Sequence, residues 1–308
     1  MALGAPALMR VGAALVLTLL SCAAVAADDS TTRTIDAQGA HVSVDFQSTD
    51  FEHGVDPIVT WIQRSMAIVA QYYGRFPAKE LRIRVMSSAG SGVRHGTTYG
   101  MRVPYIRLQV GRDTTAEELR DDWVLVHEMV HLALPEVGDD HLWLTEGLST
   151  YVEGIARVHA GELRADHVWA DLVRSMPNGL PRSGDEGLDH THTWGRTYWG
   201  GALFCMVADV EIRKKTNNRF GLRDAMSAVL RESGGVSFEW PIERVLKTGD
   251  TATGTTVLSD LYAHVKDKPV SPDLDALWKQ LGIRARGEAA DFIDDAPLAA
   301  TRKAIMTP

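Results

Sequence analysis

Cysteine is almost missing from this chain: its 308 residues include two, Cys22 and Cys205. Cys22 falls in an N-terminal export signal, where it is either removed or lipidated. Cys205 is then alone, so no structural disulfide can form within the mature chain. It sits in the apolar stretch 202–210 and reads as a small core residue rather than a thiol nucleophile. Positive charge is also in short supply. Lys and Arg number 32 against 40 Asp and Glu, a formal net charge of -8, and no basic cluster reverses that balance. Nucleic acid and anionic membrane surfaces are therefore excluded as expected partners. The apolar run Val11 to Leu20 is too short to span a bilayer comfortably, so no membrane span is expected. No internal repeat or low-complexity tract follows it. What remains is an ordinary globular composition, 45% hydrophobic and 23% charged, in a chain long enough for one large domain or two packed lobes.

Arg10 precedes the apolar run, and Ala24-Val25-Ala26 fits a small-residue cleavage site. Residues 1–26 therefore read as a signal peptide, and the protein as exported, either periplasmic or secreted. A second reading competes: Leu19-Leu20-Ser21-Cys22 resembles a bacterial lipoprotein signal, which would anchor the chain by a lipid on Cys22. Residues 27–308 are left for one domain, with a sheet-containing lobe at about 41–112, a helical lobe at about 113–290 and a short tail.

Residues 27–40 are polar and expected to fray. Three segments, 41–47, 81–86 and 105–110, alternate like half-buried strands, and the Gly- and Ser-rich stretch 88–100 between the last two reads as a loop. Pro57 to Tyr73 has helical spacing with proline in the first turn. From Thr115, a good N-cap followed by Glu117 and Glu118, one helix is expected to run to about Leu134 and stop at Pro135. Further helices are expected at about 142–159, 198–215, 221–232, 238–247, 254–266 and 273–280, with a loop at 176–195 and a short strand near 291–293. Strands first and helices after is an α+β arrangement.

The chemistry concentrates in His127-Glu128-Met129-Val130-His131, inside an apolar run that can be helical. Positions i and i+4 share a helix face, about 5–6 Å apart at Cβ. Two imidazoles so placed can share one zinc ion at ~2.1 Å each. Glu128 follows the first histidine and is suited to accept a proton rather than to ligate. Zinc needs a third protein ligand and an open position. The next acidic residue that opens a helix is Glu146, in Trp143-Leu144-Thr145-Glu146-Gly147, and the turn at Pro135 and Gly138 lets that helix fold back on the first.

His-Glu-x-x-His followed by Trp-Leu-x-Glu-Gly-x-x-x-Tyr-Val-Glu resembles the gluzincin metallopeptidases, which include thermolysin and the membrane-alanyl, leukotriene-hydrolase and glycyl aminopeptidases. The resemblance covers about residues 104–232 and implies a zincin-like fold: a small N-terminal mixed sheet, then a helical part carrying the metal-binding helix. It implies one Zn²⁺ per chain on His127, His131 and Glu146, with Glu128 as general base and a peptide or protein as substrate. It also implies that Glu153 orients a ligating imidazole without touching the metal. Tyr198 matches the tyrosine of a Tyr-x-Lys-Gly motif that stabilises the oxyanion in the aminopeptidase-like members, although Gly200 stands where the lysine usually is.

Two departures limit the transfer. Fourteen residues separate His131 from Glu146, fewer than is typical of the aminopeptidases. Neither Gly-x-Met-Glu-Asn nor Gly-Gly-Leu-Glu-His precedes the strand at 105–110; residues 92–100 stand there instead. The expectation is an enzyme that does not require a free substrate amine, with 105–110 as the edge strand on which an extended substrate pairs. His95 and Tyr99 are candidates to line the cleft, and His190 or His192 to compete with Tyr198 for the oxyanion. The other histidines, His41, His53, His141, His159, His167 and His264, read as surface residues. Two further functions stay open: a zinc hydrolase acting on a non-peptide or cell-wall substrate, and a zinc-bearing binding protein without turnover.

Overall fold

The computed structural model describes residues 31–308. The expected signal peptide and the Cys22 anchor lie outside them.

Five strands form one sheet: β1 (Thr31–Ala37), β2 (Ala40–Phe46), β3 (Glu80–Ser88), β4 (Val93–Tyr99) and β5 (Tyr105–Gly111). Their spatial order is β1-β2-β3-β5-β4, with β2, β3 and β5 parallel and the two outer strands antiparallel. Alternation sets the faces. Val42, Val44, Leu81, Ile83, Val85, Ile106, Leu108 and Val110 are buried, and the register places Ile83 beside Ile106 and Val85 beside Leu108. Each such side chain contributes roughly 1.5–3 kcal/mol on burial. Helix α1 (Asp56–Tyr73) contributes Ile58, Ile62, Met66 and Val69 to the same core. It ends at Gly74, whose φ of 77° suits glycine.

The sheet departs from the expectations in three places. The segment expected to fray contains β1, because Gln38 and Gly39, both at positive φ (54° and 74°), close a two-residue hairpin onto β2. The expected loop at 88–100 contains β4: Val93 to Tyr99 find a partner in β5, which outweighs their glycine content. As a result β5 is an interior strand, not the edge. The edge strand on that side of the sheet is β4, and β1 is the edge on the other.

The helical part follows. Helix α2 (Ala116–Asp121) opens with a capping box between Thr115 and Glu118. It does not continue as one helix to Leu134. Asp122 is extended, with ψ 140°, and its carboxylate accepts from Val124 N at 2.8 Å to start α3 (Val124–His131). Helix α4 (Leu142–His159) matches its expected span. Helix α5 (Ala165–Ser175) was not anticipated. Then come α6 (Gly201–Thr216), α7 (Leu222–Ser233), α8 (Ile242–Thr253), α9 (Val257–Val265), α10 (Leu274–Leu281), a small hairpin of β6 (Ile283–Arg286) and β7 (Ala289–Phe292), and α11 (Ala299–Ile305). The chain is α+β as expected. Among the described residues no helix is long and apolar enough to cross a membrane.

Helices α4 and α6 cross at a glycine pair. A Cβ on Gly147 would lie 2.2 Å from Gly201 C, and one on Gly201 would lie 1.8 Å from Trp143 O. Only hydrogen fits at that crossing. Cys205 is buried within α6, as expected of a core residue. His159 is a correction: it is 7% exposed, stacks on Tyr72 and hydrogen-bonds through Nε2 to Ile305 O at 2.9 Å. The C-terminal helix that covers it gave no signal near it in sequence.

Candidate metal centre

Helix α3 places His127 and His131 one turn apart, with ring centroids 5.0 Å from each other. The fold-back through Pro135 and Gly138 brings the first turn of α4 over them. Trp143 fixes that turn: its indole Nε1 donates to Asp189 Oδ1 at 2.8 Å, and Asp189 also accepts from Tyr262 Oη at 2.7 Å and contacts His141 Nδ1 at 3.2 Å. One turn on, Glu146 Oε2 lies 3.2 Å from His127 Nε2 and 3.5 Å from His131 Nε2. Burial opposes the charge on Glu146, yet hydrogen bonds from the two imidazoles hold its carboxyl at about 2. His131 is raised in turn: burial works against the charged ring, and Glu146 prevails.

These donors fit a zinc ion. Two ligands at ~2.1 Å from one tetrahedral zinc stand about 3.4 Å apart, and the spacings from Glu146 Oε2 to the two imidazoles, 3.2 and 3.5 Å, fall on either side of that. Glu128 also faces the pair, with donor atoms of His127, Glu128 and His131 all within 4.8 Å of one another. Its carboxylate is otherwise engaged. Thr98 Oγ1, on β4, lies 2.7 Å from Glu128 Oε2 and 2.8 Å from Glu128 O. The close approach depends on Gly96, where a Cβ would fall 2.6 Å from Glu128 Cγ. Glu146 is thus the carboxylate directed at both imidazoles, and Glu128 the one held aside by the sheet.

Tyr198 lies in a π-helical turn, Gly195–Gly200, that leads into α6. Buried Arg196, ion-paired with Asp185, anchors this turn. The Tyr198 ring stacks near His127 at 6.3 Å. Its hydroxyl is pushed up to about 12 by burial first, then by the charges of Glu146 and Glu128 and a hydrogen bond to Glu146. It therefore stays protonated across the neutral range and is available as a donor.

A cavity of about 500 Å³ holds these groups. One wall is residues 94–98 of β4, which includes His95. His95 Nε2 contacts Thr97 Oγ1 at 2.8 Å. Tyr99 does not line the cavity; it stacks on Tyr105 at 5.6 Å. His190 contacts Asp267 at 3.0 Å, and neither it nor His192 lines the cavity. Glu153 is half-buried one turn before Arg157 and accepts a hydrogen bond from it at 2.9 Å, with desolvation raising its carboxyl. Sequence reasoning missed Thr98 and the exposed tryptophans Trp123 and Trp194, which sit against His127 and Tyr198. The alternation through Thr97, Thr98 and Tyr99 was the available signal for Thr98.

No protein-family model and no curated protein matches the sequence. Solved structures do match in shape. An aminopeptidase N family protein from Idiomarina loihiensis superposes with a TM-score of 0.62 at 14% identity, over 83% of this chain and 49% of that one. An M1 zinc metallopeptidase from Deinococcus radiodurans gives 0.52 at 14% identity, over 79% of this chain and 53% of that one. A variant of the latter bound to a Tyr-Ser-Ala substrate gives 0.51 at 13% identity, with the same coverage. This chain spans about half the length of those proteins. In fold, the chain is a zincin-like α+β protein with the architecture of the M1 zinc metallopeptidase structures.

Proposed function

We propose that this protein is a zinc-dependent metallopeptidase of the gluzincin type, binding one Zn²⁺ through His127, His131 and Glu146. The observation that carries the reading is the convergence of His127 Nε2, His131 Nε2 and Glu146 Oε2 in a cavity that also contains Glu128 and Tyr198. A protein of the same fold binds a Tyr-Ser-Ala substrate, which supports a peptide as the substrate class. Bound zinc supplies Lewis acidity toward a carbonyl and toward water.

The chain's own residues do the rest. No strand among the described residues pairs with the outer edge of β4, which offers main-chain hydrogen bonds to an extended peptide in place of 105–110. Glu128 takes a proton from the attacking water as the new C–O bond forms, then gives it to the amine nitrogen as the C–N bond breaks. Thr98 keeps the Glu128 carboxylate in one orientation between those two transfers. Tyr198 donates to the oxygen that becomes negative. Glu153 and Arg157, near His127, form a part-buried pair that fixes the packing of α4 there.

The test separates metal binding from turnover. Each of His127→Ala, His131→Ala and Glu146→Ala should lose most of the zinc measured by metal analysis. Glu128→Gln should keep it and cut N-acetylated and free peptides at least ~10²-fold more slowly than the parent. Full zinc in Glu146→Ala, or an active Glu128→Gln, would falsify the assignment.

A further inference from the structure

A second cavity, of about 730 Å³, adjoins the first. Trp123, His127 and Tyr198 line both, so the two meet beside the candidate metal centre, within reach of a side chain of a bound peptide. Its other walls include Tyr151, Leu163, Val168, Leu172, Trp194 and Trp199. Trp123 and Trp194 are 52% and 64% exposed, a high exposure for indole rings, whose burial against a ligand would release apolar surface.

The cavity also contains charged residues, and most of them are already matched. Arg157 donates to Glu153 Oε1 at 2.9 Å and to the carbonyls of Arg120 and Asp121 at 3.3 and 3.1 Å. Asp171 pairs with Arg174. Asp121 and Asp171 both present exposed carboxylates, the second already paired with Arg174. A cationic guest would find two acidic groups at the exposed rim, one of them already paired, whereas an apolar guest would find aromatic and aliphatic wall on the remaining sides.

We infer that this cavity is the specificity pocket of the enzyme and takes a large apolar or aromatic side chain of the substrate, always on the same side of the cleaved bond. The inference rests on the peptidase reading only for the identity of the ligand as a substrate. The pocket itself is a property of the folded chain.

Thr150 on α4 and Ser175 at the end of α5 line the cavity and are half-buried. Thr150→Phe and Ser175→Phe each place a ring where the guest would sit, from two different helices. Binding is read first, without turnover: N-acetyl-phenylalaninamide, N-acetyl-alaninamide and N-acetyl-lysinamide are titrated while tryptophan fluorescence is followed. Three of the eight tryptophans line the cavity, so occupancy is directly visible. The phenylalanine probe should change the emission and bind at least ~10-fold more tightly than the other two. Both filled variants should weaken it by a similar factor while unfolding as cooperatively as the parent. A peptide library digested by the zinc-loaded protein should then be enriched in Phe, Leu, Met or Trp at one fixed position. The rate ratio of Phe to Ala peptides should fall about tenfold or more in either variant. Tighter binding of the lysine probe, Lys or Arg enrichment at that position, or filled variants that match the parent would each overturn the apolar pocket. A phenylalanine response with no peptide cleaved would leave the pocket standing and defeat the peptidase reading instead.

Discussion

Thr98→Val is the most informative single substitution, because it alters the proposed general base without touching a proposed metal ligand. Valine replaces the hydroxyl with a methyl of nearly the same size, so no cavity forms. What disappears is the one O–H that reaches Glu128, 2.7 Å from Oε2 and 2.8 Å from the main-chain carbonyl. A hydrogen bond to a charged group is worth about 1.5–3 kcal/mol. At 1.4 kcal/mol per factor of ten that corresponds to roughly 10–100-fold. Water can enter the cavity and replace part of the lost donation, so the lower half of the range, about 10–30-fold in kcat, is expected. KM should move little, since Thr98 is directed at Glu128 rather than at the space a peptide would fill. The assay is kcat and KM on a quenched fluorescent peptide, beside zinc content and a thermal unfolding curve. Thr98→Ser, which restores the hydroxyl, should recover most of the rate. A Thr98→Val protein with full zinc and parental kcat would refute the positioning role, and so would a Thr98→Ser protein as slow as the valine variant.

Three further outcomes are expected. Tyr198→Phe removes only the hydroxyl and should lower kcat ~10²-fold or more with zinc retained, while His190→Ala and His192→Ala, outside the cavity, should each cost under ~10-fold; steady-state kinetics that reverse this ranking would transfer the oxyanion role to a histidine. Helix propensity alone would make Gly201→Ala stabilising by about 1 kcal/mol, but its Cβ would meet Trp143 O at 1.8 Å, so the variant should instead lose roughly 3 kcal/mol or more and several degrees of Tm; an unchanged Tm would disprove the close crossing. Asp122 is raised from 3.8 to about 6, mainly by burial. A raised carboxyl pKa means that the folded state holds the proton more tightly, so this contribution is complete below about pH 4 and is lost as pH rises through about 6. Asp122→Asn keeps an acceptor for Val124 N and should flatten that loss, on the order of 1–3 kcal/mol, in urea unfolding of the metal-free protein; parallel curves for the two proteins would rule it out.

What could be read from the sequence was local. Helical spacing located α1 and α4 to within a residue, and the pattern His127 to His131 with Glu146 picked out donors that meet in one cavity. What could not be read depended on partners distant in the chain. β4 is a strand because β5 lies beside it, and without that partner Val93-Arg94-His95-Gly96 is a glycine-containing stretch of no clear preference. The split between α2 and α3 turns on one carboxylate that caps the second helix, in a segment whose propensity favours continuation. Thr98 and Asp189 are ordinary residues in sequence; their weight comes from which donors and acceptors the fold brings to them.

The open edge of β4 has a consequence for solubility. An unpaired strand edge is a template for adding another strand, and in a flat sheet it invites aggregation. Here the residues of that edge form a cavity wall, with Glu128 pressed against Gly96 and α3 standing alongside. The register also shifts between Val93 and His95, an irregularity of the kind that turns an edge out of plane. A single extended chain can slide into that recess, whereas the broad rim of a second folded sheet cannot reach it. On the proposed reading, the recess that would receive a peptide also shields this edge of the sheet from a second folded copy.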